Sequence, residues 1–263
     1  MTDPESERRT LSRGEWGAVI LAVLVVAGAA WMWLRNPSGE QPPAAQPAAD
    51  SSGQQPAAQE SAPPAPVPDS QAKPQLEAIS NDPAYRRWLA AADDIVRRWA
   101  IATDNLAEGV SPRKVLEPAA PKGPFRVFQR GGKTFMSAES CARYDEFARA
   151  VSSVDARGFA GVYKAMRPAV EFAYRALGYP NGSLDAATAR GLRRIEGAPV
   201  IESDPELVPE RGVYLFADPK LEGLGQVEKH LLRMGAKNTR SIQAKAREIR
   251  EALAFPAEAA SAK

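Results

Sequence analysis

Two carboxylates stand four residues apart in this chain, Asp104 and Glu108, with Asn105 between them. On a helix that spacing puts both side chains on one face. Carboxyl pairs separated by roughly 5–9.5 Å cleave glycosidic bonds by acid/base chemistry. A plainer reading competes with this one. The pair falls at the end of an apolar helical stripe, where negative charge opposes the helix dipole and arginine partners are expected from elsewhere in the fold. On that reading Asn105 bonds loop backbone, and no residue is assigned as catalytic.

A second constellation is Arg233-Met234-Gly235-Ala236-Lys237-Asn238. Read as a loop between two helices, it faces the backbone N–H groups that open the second helix, with Arg233 and Lys237 alongside. That makes a candidate anion site for a carboxylate or phosphate, such as a cell-wall peptide end or a lipid headgroup. The bland alternative is a glycine stop followed by an asparagine cap. Arg233, Lys237, Asn238, Asn105 and Glu108 are therefore the binding candidates. From Gln226 to Phe255 seven lysines and arginines face three glutamates, so a basic surface there is a further expectation.

Other reactive residues are sparse. Arg143-Tyr144-Asp145 mixes a cation, a hydroxyl and a carboxylate, but on a helix the three point in different directions. His230 is the single histidine, and the apolar-and-basic run around it does not supply the nucleophile and orienting carboxylate that a general base needs. Cys141 is the single cysteine; Arg143 nearby would lower its pKa, whereas packing in a helix start would leave it inert. One histidine and one cysteine exclude the usual His/Cys metal clusters, and one cysteine excludes an intramolecular disulfide. No cofactor motif is present. A formal charge of +2 is too balanced to advertise nucleic-acid binding.

The elements that must position these groups are mostly helical. Asp82-Pro83 starts a helix whose stripe of Tyr85, Trp88, Leu89, Ile95, Val96, Trp99 and Leu106 runs to Gly109, with Asp93–Arg97 and Asp94–Arg98 as i,i+4 pairs. Residues 125–128 and 133–136 read as a hairpin turned at Gly131-Gly132. Further helices follow over Tyr144–Val154, over Phe159–Leu177 with a break or kink at Pro168, and from a Ser183 cap to Glu196. A proline-rich loop covers Pro199 to Pro209, and Val213–Phe216 is a short strand. Asp218-Pro219 opens a helix that stops at Gly235, and Asn238 caps the last one. The expected class is α+β, mainly α: one compact helical domain over 81–255, a small β-hairpin, and a disordered tail over 256–263.

Asp104-Asn105-Leu106-Ala107-Glu108-Gly109, Arg143-Tyr144-Asp145, Tyr174-Arg175-Ala176-Leu177-Gly178-Tyr179-Pro180 and Arg233-Met234-Gly235-Ala236-Lys237-Asn238 occur in that order. With these motifs the folded part, about residues 76–254, resembles the domain of unknown function 3014 family. The resemblance implies a bacterial envelope protein with one N-terminal span and a proline-rich linker. It brings no assigned catalytic or binding residue.

The N-terminal quarter agrees with that architecture. Trp16–Leu34 is nineteen residues without a charge, enough at ~1.5 Å per residue to cross a hydrocarbon core of about 30 Å. Trp16 stands at one end and Trp31 and Trp33 at the other, where indoles favour the headgroup layer. Arg8, Arg9 and Arg13 precede the run and only Arg35 follows before Lys73, which keeps residues 1–15 cytoplasmic and the rest outside. A competing reading is a signal peptide cleaved at Ala27-Gly28-Ala29. Residues 35–80, rich in Pro and Ala, read as a disordered linker. The expectation is a single-pass protein of the bacterial inner membrane with a periplasmic interaction or scaffolding domain. Its partners would be the membrane, through residues 16–34, and another envelope protein or cell-wall polymer, with no nucleic acid. The alternatives are a wall glycan or peptide enzyme using carboxylates, and a module for an anionic envelope ligand.

Overall fold

The computed structural model describes residues 64–255. The apolar run at 16–34, most of the linker and the tail at 256–263 lie outside them. Among the described residues no helix is long and apolar enough to cross a membrane.

The fold is α+β and mainly α. Helices α1 (Asp69–Glu77), α2 (Pro83–Ala91) and α3 (Ile95–Ala107) come first. The hairpin β1 (Val127–Arg130) and β2 (Lys133–Met136) follows. Next are α4 (Ala138–Ala142), α5 (Asp145–Ser152), α6 (Ala156–Arg175) and α7 (Leu184–Glu196). A second hairpin, β3 (Glu206–Glu210) and β4 (Val213–Phe216), leads through α8 (Pro219–Glu222) into the long α9 (Gln226–Ala252). The two hairpins join into one antiparallel sheet of order β1-β2-β3-β4.

Several starts form as their residues dictate. Asp82 accepts the N–H groups of Ala84 and Tyr85 ahead of Pro83, and Ser183 accepts that of Ala186. Gly131 and Gly132 both take positive φ, as a two-residue hairpin turn requires. Helix α6 runs through Pro168 without a break.

Five expectations need correction. The stripe from Asp82 to Gly109 is two helices, because Asp94 turns to φ 48 and the chain changes direction. The cap of α3 comes from far away: the Asp69 carboxylate accepts from Asp94 N at 2.8 Å and Ile95 N at 2.9 Å. The pairs become Asp93–Arg98 at 2.6 Å and a looser Asp94–Arg97 at 3.9 Å. Helix α1 lies inside the stretch 35–80 read as linker; Ala72 and Leu76 are buried in the core, so ordering begins before residue 81. Strand β3 occupies part of the expected loop. Its Pro209 is tolerated because β2 reaches only to Glu206 and Leu207, leaving residues 208–210 without a partner on that side. The helix opened by Asp218-Pro219 ends at Gly223, one turn later.

Three packed regions share α9 as their spine. Helices α1, α3, α6 and α7 enclose Leu76, Tyr163, Met166, Val170 and Leu184. Small residues bring α3 against α7: a Cβ on Gly191 would stand 3.0 Å from Leu106 Cβ. Helices α5 and α9 meet through Tyr144, Val227, Leu231 and Ile242. One face of the sheet packs on α9 through Met136, Leu207, Phe216 and Leu232.

Candidate functional site

The segment Arg233–Asn238 is not a loop. Helix α9 passes through it with one break, at Gly235, where φ is 80 and ψ 159. A break inside a helix frees carbonyls that need new donors. Thr239 Oγ1 donates to Leu231 O at 2.6 Å, and Asn238 Nδ2 to Met234 O at 3.0 Å. The same Asn238 amide reaches Asp145 Oδ1 at 2.9 Å and Cys141 O at 3.2 Å. Asn238 is thus a buried donor that ties the break to α4 and α5, instead of an N-cap acceptor.

Arg233 and Lys237 diverge from this point. Arg233 donates to Tyr214 O at 2.7 Å, and its guanidinium lies 5.5 Å from the Phe216 ring centroid, on the sheet. Lys237 is exposed, with Nζ 3.6 Å from Asp145. Beside the break is a cavity of about 310 Å³ whose lining includes Cys141, Asp145, Glu202, Asp204, Lys237 and Asn238. Three carboxylates and one ammonium give it a negative balance, which suits a cation better than an anion. Burial pushes the Cys141 thiol pKa up, and Asp204 and Asp145 add to this, so the sulfur is protonated at neutral pH.

The basic run of α9 is internally paired. Lys229 bonds Glu222, Arg240 bonds Glu202, and Lys245 bonds Glu248 and Val154 O. Arg247 and Arg250 both meet Glu196.

Asn105 and Glu108 sit at the C-terminal end of α3, away from that cavity's lining. Glu108 pairs with Arg190 of α7 at 3.5 Å, and Arg194 donates to Ala107 O at 3.2 Å while meeting Glu228 at 3.0 Å. These guanidinium groups complement the negative end of α3. Asn105 contributes its backbone carbonyl, which accepts from Val110 N at 2.8 Å. Arg143 donates to Gly123 O and lies 5.7 Å from the Tyr144 ring centroid, Tyr144 is buried and Asp145 faces the break; the trio spans the turn between α4 and α5 and not one helix.

One pair had no sequence signal. Ser111 Oγ stands 2.9 Å from His230 Nδ1 across 119 residues, with the Tyr144 ring edge-on at 5.6 Å. A serine beside an imidazole is the start of a nucleophilic pair, but the bonded set holds no carboxylate to orient the ring. Burial, with Arg113 and Arg233 near, lowers the His230 pKa to about 4. The unfolded chain therefore binds a proton between pH 6.5 and 4 that the folded chain refuses, and stability falls as pH drops through that window. From pH 7 to pH 5 the loss should be about 2 kcal/mol. Urea midpoints at both pH values check this; His230→Gln should flatten the difference, and an NMR titration of His230 centred near 6.5 would exclude it.

With this geometry in hand, comparison with known proteins gives one match. The family model described as protein of unknown function (DUF3014) matches residues 95–250, well over half of the chain. The chain belongs to the DUF3014 family. The matched part of this DUF3014 protein runs from the Asp69-capped start of α3 to Arg250 in α9, so it takes in every candidate above. No curated protein and no solved structure matches the chain.

Proposed function

We propose that this DUF3014 protein is a membrane-anchored, non-enzymatic interaction module of the bacterial envelope. Residues 16–34 would span the inner membrane from a cytoplasmic 1–15, and the Pro/Ala-rich stretch would carry the folded domain into the periplasm. The observation that carries the interaction reading is the internal use of the charged side chains. All seven cations of α9 have intramolecular partners, and Glu108 is held by Arg190. A domain built this way offers a fixed surface, with its reactive groups tied into the scaffold.

Full-length protein should fractionate with the inner membrane, and protease added to spheroplasts should cut its domain. In-cell cross-linking followed by mass spectrometry should return one protein partner at near-stoichiometric yield. Protection of the domain in intact spheroplasts would overturn the topology. Release of wall fragments by the purified domain, abolished in Asp104→Asn or Glu108→Gln, would overturn the non-enzymatic reading.

A further inference from the structure

We propose that the free edge of β1 captures an extended acidic segment of a partner protein by strand addition. This rests on the interaction reading and names the partner's chemistry.

The sheet order leaves β1 paired on one side only. Ser137 N donates to Arg126 O, which sets the antiparallel alternation with β2. Phe128 and Arg130 then exchange their backbone bonds with β2, while Val127 and Gln129 turn N–H and C=O outward. The strand is bounded by defined contacts at both ends. At its start the fully buried Ser140 Oγ accepts from Arg126 N at 2.6 Å and donates to Arg126 O at 2.8 Å. At its end is the Gly131-Gly132 turn. A preformed edge lowers the ordering cost that strand addition must meet. Along it lies a surface groove of about 490 Å³ lined by Arg126, Val127, Phe128, Ser137 and Glu139.

Charge selects the occupant. The two-residue period puts Arg126 and Arg130 on the face of Phe128 and of the buried Phe135, opposite the Val127 and Met136 face that packs on α9. The Arg130 guanidinium lies 4.8 Å from the Phe135 centroid. Among the described residues neither Arg126 nor Arg130 has a carboxylate within ion-pair distance, nor have Arg113, Lys114 and Lys122 in the segment leading to β1. Charged edges protect sheets from pairing with copies of themselves. Two β1 strands side by side would bring Arg126 and Arg130 of both chains together. An acidic strand meets no arginine–arginine repulsion and gains cross-strand pairs, its charge opposed among the groove residues by Glu139 alone.

The probe is an acetylated, amidated eight-residue peptide alternating valine and glutamate, titrated into the full chain in detergent; its lysine counterpart is the control. The acidic peptide should bind and the lysine peptide should not. Arg126→Glu with Arg130→Glu should weaken binding at least tenfold while the domain keeps its parent circular-dichroism spectrum and a cooperative melt. Gln129→Pro removes an outward N–H that β2 does not use, and should weaken binding similarly. Absence of acidic-peptide binding overturns the proposal. So does binding unchanged in Gln129→Pro, since anion attraction alone needs no edge N–H, and so does equal binding by vesicles containing 30% phosphatidylglycerol. In the cell, the charge-reversed protein should lose the cross-linked partner. A partner retained by that variant overturns strand addition and leaves the interaction reading standing; no partner for either protein overturns the interaction reading itself.

Discussion

Glu196→Ala should destabilise the domain by about 3 kcal/mol, because it leaves a buried guanidinium with only the exposed Glu251 at 3.9 Å. Arg250 is 8% exposed and meets Glu196 through two bonds, Nε to Oε1 at 2.8 Å and Nη2 to Oε2 at 3.3 Å. That hydrogen bonding holds the Arg250 pKa above its ordinary value. The pair also fastens the end of α7 to α9. Gln243 Nε2 lies 3.1, 3.2 and 2.8 Å from the carbonyls of Ile195, Glu196 and Ala198 and shares its two hydrogens among them, at and just beyond the C-terminal end of α7 where carbonyls lack intrahelical donors. Positive and donor groups from α9 therefore collect where α7 is negative. Urea denaturation at pH 7 should show the lower midpoint with an unchanged slope. Glu196→Ala with Arg250→Met should recover much of the loss, because no charge is then left buried. A single variant as stable as the parent would mean that Arg250 finds water or Glu251 as an adequate substitute.

These contacts separate what the sequence discloses from what it hides. Helix starts at Pro83 and Leu184 were legible because the cap and the groups it serves lie within three residues. The hairpin at Gly131-Gly132 was legible for the same reason. The break at Asp94 was not. Apolar residues continue in helical phase across it, and what stabilises the turn is Asp69, 25 residues upstream. Helix α1 was hidden by composition: its nine residues include Pro74 and only one large aliphatic side chain, and they order by docking Leu76 on other helices. Strand β3 was hidden by Pro209, which is harmless only because β2 is short. The site candidates show the same limit. Arg233 and Lys237 are four residues apart, yet the break sends one to the sheet and leaves the other in solvent. Ser111 and His230 are neighbours that only the assembled fold creates.

Gly235→Ala should cost about 3 kcal/mol, from two sources that can be separated. At φ 80 and ψ 159 the backbone lies in a region open to glycine and strained for any residue with a Cβ, at ~1–3 kcal/mol. The added Cβ would also stand 2.9 Å from Cys141 Sγ and 3.0 Å from Cys141 Cβ, an overpacking of similar size. Cys141→Ala in the same chain removes the sulfur contact and should return part of the loss; the backbone part should remain. Urea midpoints of the parent, both single variants and the double variant give the coupling directly. The break matters because α9 serves two masters. Before it, Leu232 and Arg233 hold the sheet; after it, Gln243, Arg247 and Arg250 hold α7. A straight helix would change the angle between those docking faces. Alanine at 235 must then either strain the backbone or detach one face, and both lower the midpoint. If Gly235→Ala left stability unchanged, the bend would be incidental, and the Asn238 and Thr239 bonds across it would be decoration on a helix free to straighten.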